Sequence, residues 1–434
     1  MIMNIQSLLR GEFLCTCGQK HNCDIHNVVV EKNAVAKIPS LLDGYKHVLV
    51  VSDGNTRRVC GENVVNTLKA AGFDVTEAFF NQTELVIPDE EAVAFIESFI
   101  TADTQVIIGI GGGVMNDLSK YVSFFKKLPY MIVGTAPSMD GFASKGAAMV
   151  LKGMKETVTC HVPTWIVSDV DVLAQAPMKM IRAGIGDILG KYSCLNDWKL
   201  ATIINGEHFC QYIYDLVSGE VAACRGNIDA CMARDASAIG RLMESLVIVG
   251  IAMAYLGNSR PASGAEHHFS HFFEITGIVF GRPYMDHGVD VAYSTILTAK
   301  MRRMMAAEDP ATFTQTFDRA AWENNIPRVY GKISNEVMAL MDRMKFYTDD
   351  RLSVIKAKWP EIKAALEEAP DEKEIEALLV SAGYDKAGEF IPTYGEALIR
   401  DAMEFAKDLK DRYTLLWLLE NTGKLHEYAR TMTI

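Results

Sequence analysis

The sequence of 434 residues lacks an apolar run long enough to cross a bilayer, and it has no excess of basic over acidic residues. A membrane-spanning helix needs about 20 consecutive apolar residues, and the run LVIVGIAMAYL (246–256) is much shorter. The first residues, MIMNIQSLLRGEF, contain no apolar stretch of the kind found in signal peptides. A formal net charge of -12 argues against a nucleic-acid-binding surface, which needs a basic face. We therefore expect a cytoplasmic protein with no membrane span and no nucleic-acid partner.

Cysteine is scarce, and its nine residues are an odd number scattered along the chain. This pattern indicates reduced thiols rather than a disulfide framework. Hydrophobic residues make up 49% and charged residues 23% of the chain, which is typical of a globular protein and excludes extensive disorder. The length predicts two or three domains.

The first third of the chain alternates short apolar runs with segments of helical periodicity. The helical segments are residues 56–71 and 89–101, and the strands are predicted at 47–53, 75–80, 105–110 and 130–135. Short buried strands that alternate with helices predict parallel βαβ units. We expect a Rossmann-like, doubly wound sheet whose ligands lie at the carboxyl ends of the strands.

The pattern changes after this sheet. Two strand-like runs around a Lys-Gly-Met-Lys turn within 142–168 predict a β-hairpin, and WIVSD (165–169) predicts a last strand. From about residue 176 the pattern is helical almost throughout. We therefore predict an α/β domain over residues 1–175 and an all-α domain over residues 176–434.

A glycine-rich loop, GIGGGVMND (109–117), follows one predicted strand and opens a helix. Such glycines allow a pyrophosphate to approach the helix N-terminus. Gly109 and Gly111 fit the dinucleotide fingerprint, but Val114 stands where its last glycine or alanine is expected. A tight turn without a ligand is the alternative. A second loop, TAPSMDGFAS (135–144), can contact a cofactor or a polyol, or form a plain turn.

Carboxylate and imidazole groups in the second half suggest a metal site. Asp187 lies in AGIGDILGK, on what we expect to be the first turns of a helix, and four of the ten histidines lie between positions 267 and 287. One carboxylate and two imidazoles suit Zn²⁺, Ni²⁺, Fe²⁺ or Mn²⁺ and leave a coordination position open for substrate. Spacing alone does not decide between such a site and solvated histidines.

The N-terminal segment CTCGQKHNC (15–23) also offers possible zinc ligands in Cys15, Cys17, His21 and Cys23. The irregular spacing does not match a zinc finger. We interpret this segment as a turn with buried thiols.

Together the motifs resemble one superfamily. GIGGGVMND, TAPSMDGFAS, AGIGDILGK, SGAEHHFSH and MDHG occur in the order expected of the iron-containing alcohol dehydrogenase superfamily, which includes glycerol dehydrogenase and dehydroquinate synthase. TAPSMDGFASKGAA and SGAEHHFSH are most similar to the bacterial sn-glycerol-1-phosphate dehydrogenase family, as are CTCGQKH and KDRYTLLWLL (410–419). The resemblance covers nearly the whole chain and implies a dehydroquinate synthase-like fold.

The resemblance also implies roles for individual residues. The implied metal ligands are Asp187, His267 and His287, with Asp187 and His271 as catalytic residues. Substrate contacts fall on Asp140, Asp187 and His271. The implied cofactor contacts are Asp53, Gly112, Gly113, Asn116, Asp117, Thr135, Ser138 and Ser144.

Two features leave alternatives within this assignment. Met115-Asn116-Asp117 stands where the superfamily commonly has Ile/Val-Asp, and His268 is a second candidate for the imidazole facing the metal.

The implied activity is the reversible, NAD- or NADP-dependent reduction of dihydroxyacetone phosphate to sn-glycerol 1-phosphate, an oxidoreductase step of phospholipid metabolism. It requires one divalent metal, either zinc or nickel, with iron as a further option, in a homodimer. Lys145, Lys191 and Arg260 are candidate ligands of the substrate phosphate. Glycerol dehydrogenase, dehydroquinate synthase and a non-catalytic NAD-binding protein are the alternative functions.

Overall fold

The computed structural model describes residues 4–9, 11–82, 85–152, 154–386 and 388–433. Contacts divide the chain into two compact units. The first takes in the described residues up to Ile188 together with Ala222–Asn258, and the second takes in Leu189–Val221 and the residues from Ser259 onward. The functional domains expected at 1–175 and 176–434 remain a prediction.

All strands of the described chain belong to the first unit. In chain order they are β1 (Phe13–Leu14), β2 (Lys20–His21), β3 (Asn27–Glu31), β4 (His47–Asp53), β5 (Asp74–Phe80), β6 (Val106–Gly111), β7 (Tyr130–Gly134), β8 (Gly146–Leu151), β9 (Met154–Thr159) and β10 (Trp165–Asp169).

Six of these strands form one parallel sheet in the order β3-β10-β7-β6-β4-β5. Every residue of β6, β7 and β10 is buried, as expected when helices cover both faces of a parallel sheet. The predicted parallel α/β sheet is thereby confirmed. Strand β3 was not predicted, although it pairs along its whole length with β10.

Two antiparallel hairpins accompany the sheet. Strands β8 and β9 pair antiparallel, so the expected hairpin is confirmed; Gly153 of the predicted turn lies outside the described residues. Strands β1 and β2 form a short N-terminal hairpin that the sequence pattern did not reveal.

The helices of the described residues lie between and after these strands. Those that begin before residue 178 are α1 (Ile38–Leu41), α2 (Gly54–Thr56), α3 (Glu62–Ala70), α4 (Glu90–Glu97), α5 (Gly113–Lys126) and α6 (Val170–Leu173). A π-helical turn, Arg57–Gly61, joins α2 to α3. Helix α4 is shorter than predicted, and its first turn is capped by Asp89, whose side chain accepts a hydrogen bond from the Ala92 N–H.

From residue 178 onward the described chain contains helices and no strand, which confirms the predicted helical half. The helices are α7 (Met178–Asn205), α8 (Gln211–Arg225), α9 (Ile228–Met232), α10 (Ala236–Leu256), α11 (Ala265–Phe280), α12 (His287–Ala306), α13 (Arg319–Tyr330), α14 (Ser334–Met344), α15 (Leu352–Ala357), α16 (Trp359–Glu367), α17 (Glu372–Ser381), α18 (Phe390–Phe405), α19 (Leu415–Asn421) and α20 (Leu425–Thr431).

Among the described helices, α10 alone is long and apolar enough to cross a membrane, judged by length and composition. Its most apolar window is 83% buried within the fold. The core helix of a globular protein passes the same test, so the apolar surface of α10 is accounted for by packing within the chain.

Candidate active site

The glycine loop connects β6 to α5. Packing requires glycine at two of its positions and does not require it at two others. A Cβ atom at Gly109 would lie 2.3 Å from Ser119 Oγ, and one at Gly111 would lie 2.7 Å from Met115 Cγ, so both positions are fixed by the packing of α5 on β6. At Gly112 and Gly113 the nearest atoms would be 3.8 and 3.6 Å away. A Cβ at either glycine would therefore make only ordinary van der Waals contacts. The N–H groups in the first turn of a helix such as α5 favour an anion.

A buried lysine holds the next loop against α5. Lys120 has no exposed surface, and its ammonium donates hydrogen bonds to Gly141 O at 3.1 Å, Gly146 O at 2.7 Å and Ser144 Oγ at 3.4 Å. Burial lowers the pKa of Lys120, while the carboxylate of Asp117, 3.8 Å away, acts in the opposite direction. Lys120 is not predictable as a site residue from the sequence, because a lysine within a helix is usually solvated.

Asn116 and Asp117 lie on the first turns of α5. The Asn116 side chain is fully buried, and its Nδ2 donates to Asp117 Oδ1 at 3.3 Å and to Gly141 O at 3.4 Å. The structure thus brings two of the predicted cofactor residues to the same place as the loop that carries Ser144.

The loop after β7 packs directly on α7. The Thr135 N–H donates to Gly111 O at 3.2 Å, which joins this loop to the glycine loop. On its other side, a Cβ at Gly184 of α7 would lie 1.9 Å from Pro137 O, so only glycine fits at that position. The Asp140 N–H donates to Asp187 Oδ2 at 2.9 Å, and both side chains are buried. The loop therefore orients the carboxylate of Asp187.

Asp187, His267 and His287 offer three metal-ligating atoms that all lie within 4.8 Å of one another. Asp187 lies in the third turn of α7, which corrects the expected position on the first turns because the helix begins earlier, at Met178. His267 lies in the first turn of α11, and His287 is the first residue of α12, as its sequence context predicted. Asp187 and His267 are buried and His287 is partly exposed.

The rings of His267 and His287 each contact a neighbouring polar side chain through Nδ1. Glu266 Oε1 lies 2.7 Å from His267 Nδ1 and also accepts from the Gly264 N–H at 2.8 Å. Ser270 Oγ lies 3.1 Å from His287 Nδ1. A second partner on Nδ1 is the usual arrangement around histidines that bind a metal through Nε2.

Buried carboxylates support the start of α11. Burial raises the pKa of Glu266 to about 7, against hydrogen bonds from Ser193 and the Gly264 N–H that lower it. Asp197 of α7 accepts from the N–H of Ala265 at 2.7 Å and from that of Leu415 at 2.7 Å, so one side chain caps both α11 and α19. Burial likewise raises the pKa of Asp197 to about 7.

The two other histidines of α11 differ in position. His268 is fully buried and is not part of the group formed by Asp187, His267 and His287. Burial and the positive charges of Arg412, Lys410 and Arg260 hold its pKa well below the usual range. His271 is partly exposed, with its ring centroid 6.2 Å from that of His267 and 5.7 Å from that of His287. The structure thus places His271 beside the donor group without including it.

Other predicted residues have structural partners. The Asp53 carboxylate accepts from the N–H groups of Asn55 and Thr56 and so caps α2. Arg260 is 3% exposed, and its guanidinium binds the Glu207 carboxylate through two nitrogens and the Tyr413 carbonyl through a third. This engagement argues against Arg260 as a ligand of the substrate phosphate.

Comparison with known proteins identifies the family of this chain. A model of the iron-containing alcohol dehydrogenase family matches residues 29–177. Curated glycerol-1-phosphate dehydrogenases [NAD(P)+] from Halalkalibacterium halodurans and Geobacillus thermodenitrificans are each 30% identical to this chain. The first match covers 93% of this chain and 95% of the relative, and the second covers 96% of each. The Bacillus subtilis enzyme of the same name is 34% identical over 66% of this chain and 73% of its own length.

Solved structures share the fold at lower identity. Maleylacetate reductase from Agrobacterium tumefaciens is 12% identical, with a TM-score of 0.60, 94% of this chain covered and 97% of that chain. A probable glycerol dehydrogenase from Sinorhizobium meliloti is 17% identical, with a TM-score of 0.53, 82% of this chain covered and 96% of that chain. The fold and the curated relatives agree with the resemblance drawn from the motifs. The chain belongs to the glycerol-1-phosphate dehydrogenase family, within the iron-containing alcohol dehydrogenases.

Proposed function

We propose that this protein is an NAD(P)- and metal-dependent dehydrogenase that reversibly reduces dihydroxyacetone phosphate to sn-glycerol 1-phosphate. The names of its curated relatives support this substrate. The observation that carries the proposal is the meeting of Asp187, His267 and His287, whose donor atoms come from three different helices.

The donor set fits one divalent transition metal. A carboxylate and two imidazoles suit Zn²⁺, Ni²⁺ and Fe²⁺, and we propose zinc or nickel first, with iron as a further option. Three protein ligands leave a coordination position for a substrate oxygen. Glu266 and Ser270 contact Nδ1 of the two imidazoles, and we propose that Nε2 of each ring binds the metal. When bound, the nicotinamide would supply the hydride and the metal would act as a Lewis acid toward the substrate oxygen.

We propose that residues of the glycine loop and of the neighbouring loops bind and orient the cofactor. We propose that Gly112 and Gly113, which carry no side chain, let the cofactor pyrophosphate approach the N-terminus of α5. The other proposed cofactor contacts are Asp53, Asn116, Asp117, Thr135, Ser138 and Ser144.

The proposed substrate contacts are Asp140, Asp187 and His271. His271 is partly exposed beside His267 and His287, and we propose that it transfers a proton to or from the substrate oxygen. The near-neutral reference pKa of histidine suits that role.

The oligomeric state, the cellular compartment and the phosphate ligands are proposed from the resemblance and the described contacts. We propose a homodimeric, cytoplasmic enzyme that takes a small phosphorylated substrate. The phosphate ligands remaining as candidates are Lys145 and Lys191, since Arg260 is held by Glu207.

The test compares wild type with His267→Ala. Oxidation of NADH and NADPH is measured with dihydroxyacetone phosphate and with dihydroxyacetone. Phosphate release is measured with the dehydroquinate synthase substrate, and metal content is determined for each protein. We expect activity with dihydroxyacetone phosphate only, and a loss of at least about 100-fold in His267→Ala, because removing a metal ligand forfeits several kcal/mol of transition-state stabilisation.

The matched control is His426→Ala, because His426 is an exposed residue of α20 whose side chain is 63% exposed. It should keep wild-type turnover and metal content. Full activity with metal retained in His267→Ala would refute the site, and activity on dihydroxyacetone alone would refute the substrate.

A further inference from the structure

We propose that Cys15, Cys17, His21 and Cys210 form a second, structural zinc site, separate from the group at Asp187, His267 and His287. The donor atoms of these four side chains all lie within 4.8 Å of one another. Cys15, His21 and Cys210 are buried, and Cys17 is partly exposed.

The turn between β1 and β2 brings the first two cysteines together. The Gly18 N–H donates to Cys15 O at 3.0 Å, and the Cys15 N–H donates to Gln19 O at 2.9 Å. Gly18 has a φ of +84°, a left-handed conformation that glycine adopts without strain. The sequence Cys-Thr-Cys-Gly therefore folds as a tight turn with a cysteine on either side of Thr16.

The His21 ring is oriented as a metal ligand would be. Its Nδ1 lies 2.9 Å from the Tyr255 carbonyl oxygen. Because a carbonyl only accepts hydrogen bonds, Nδ1 must carry the proton and the lone pair of a neutral ring must sit on Nε2. That Nε2 lies 3.4 Å from Cys17 Sγ. A histidine whose second nitrogen donates to a backbone carbonyl is the usual form of a metal-binding histidine.

Aromatic contacts hold this ring in place. His21 is fully buried, its ring stacks on Tyr255 at 5.9 Å between centroids, and Phe13 meets it edge-on at 5.6 Å. The imidazole is thus fixed before any metal binds, which lowers the entropic cost of coordination.

The distances match tetrahedral zinc. Zn–S and Zn–N bonds of about 2.3 and 2.05 Å place sulfur and nitrogen about 3.6 Å apart and two sulfurs about 3.8 Å apart. The distance of 3.4 Å between Cys17 Sγ and His21 Nε2 agrees with the expected sulfur–nitrogen separation. All donor atoms lie within 4.8 Å of one another, which is compatible with the expected sulfur–sulfur separation.

The ligand chemistry separates this site from the proposed catalytic one. Three thiolates and one imidazole form a closed, four-coordinate set that selects zinc and leaves no position for a substrate. None of the nine cysteines forms a disulfide bond. The site therefore stabilises the fold rather than taking part in chemistry. The proposal departs from the interpretation of residues 15–23 as a turn with buried thiols. Its fourth ligand is Cys210, which is distant in sequence, in place of Cys23.

The experiment measures zinc in the full-length protein by mass spectrometry, in wild type and in Cys17→Ser, Cys210→Ser and Cys23→Ser. Cys23 is the matched control, since it is a buried thiol near the turn that lies outside the four-residue group. We expect Cys17→Ser and Cys210→Ser each to lose about one zinc per chain relative to wild type, and Cys23→Ser to lose none.

X-ray absorption at the zinc edge tests the coordination without any cysteine substitution. In His267→Ala, which removes a ligand of the other site, the remaining zinc should show a shell of three sulfurs and one nitrogen. An unchanged metal content in His267→Ala would contradict the proposed catalytic site but not the cysteine site, because the absorption spectrum reports the sulfur ligands independently of the metal content.

Three results would overturn the proposal. One is equal zinc content in Cys17→Ser, Cys210→Ser and Cys23→Ser. Another is a zinc shell of nitrogen and oxygen only. The third is a disulfide between two of these cysteines in the intact protein. If the serine variants do not fold, the absorption spectrum of the wild type still decides the question.

Discussion

Replacing Gly184 by alanine would place a methyl group inside the loop that follows β7. The new Cβ would lie 1.9 Å from Pro137 O, 3.0 Å from Pro137 C and 3.2 Å from Leu246 Cδ1. Ordinary contact begins at about 3.4 Å, so helix and loop must separate by about 1.5 Å. The obstacle is backbone, which cannot move aside as a flexible side chain does.

Both stability and activity should fall. Overpacking of this kind costs about 1–3 kcal/mol. The displaced loop carries Ser138 and Asp140, and the Asp140 N–H orients the Asp187 carboxylate. Since a misplacement of about 1 Å costs about 100-fold in rate, we expect kcat/KM for dihydroxyacetone phosphate to fall by about that factor.

The control is Gly219→Ala on α8, where a Cβ would meet nothing within 4 Å. Alanine in a helix is favoured over glycine by about 1 kcal/mol, so this variant should be slightly more stable and fully active. Denaturant unfolding gives the stability, and initial rates give kcat/KM. A Gly184→Ala protein as stable as Gly219→Ala would refute the clash, and one that is destabilised but fully active would refute the coupling of the loop to Asp187.

Two further variants test how the site is supported. Glu266→Gln removes the charge that His267 Nδ1 faces and should weaken metal binding about 10- to 100-fold, measured by competition with a chelator; unchanged affinity would mean that the carboxylate does not tune the ligand. Lys120→Met leaves the carbonyls of Gly141 and Gly146 without their donor and should cost about 2–4 kcal/mol and raise the Kd for NADH, measured by unfolding and by fluorescence titration. Wild-type values of both quantities would contradict the role given to Lys120.

Much of the fold follows from local patterns. Strands β4, β6 and β7 are continuous apolar runs bounded by turns, so their positions and parallel pairing are predictable from the sequence. The helical second half follows in the same way from periodicity. Strand β3 is less evident because it is an edge strand whose pairing with β10 involves residues far away in the chain.

The sequence indicated which residue types form the candidate site, but not which of those residues contact one another. His267 and His268 are adjacent on one helix, and only packing shows that the first meets Asp187 and His287 while the second is buried elsewhere. The partner of His267, Glu266, looks in the sequence like any acidic residue near a helix start. Lys120 resembles a surface lysine in the sequence, and only the structure shows that it is buried and donates to three acceptors.

The sequence by itself determined the class of fold, the loops that follow the strands and the residues able to bind a metal, because these depend on local periodicity and on side-chain chemistry. The tertiary structure decided which of those residues meet. Cys210 joins a turn that lies far before it in the chain, and Asp140 reaches Asp187 through its backbone N–H. Such meetings depend on long-range packing, which short sequence windows do not encode.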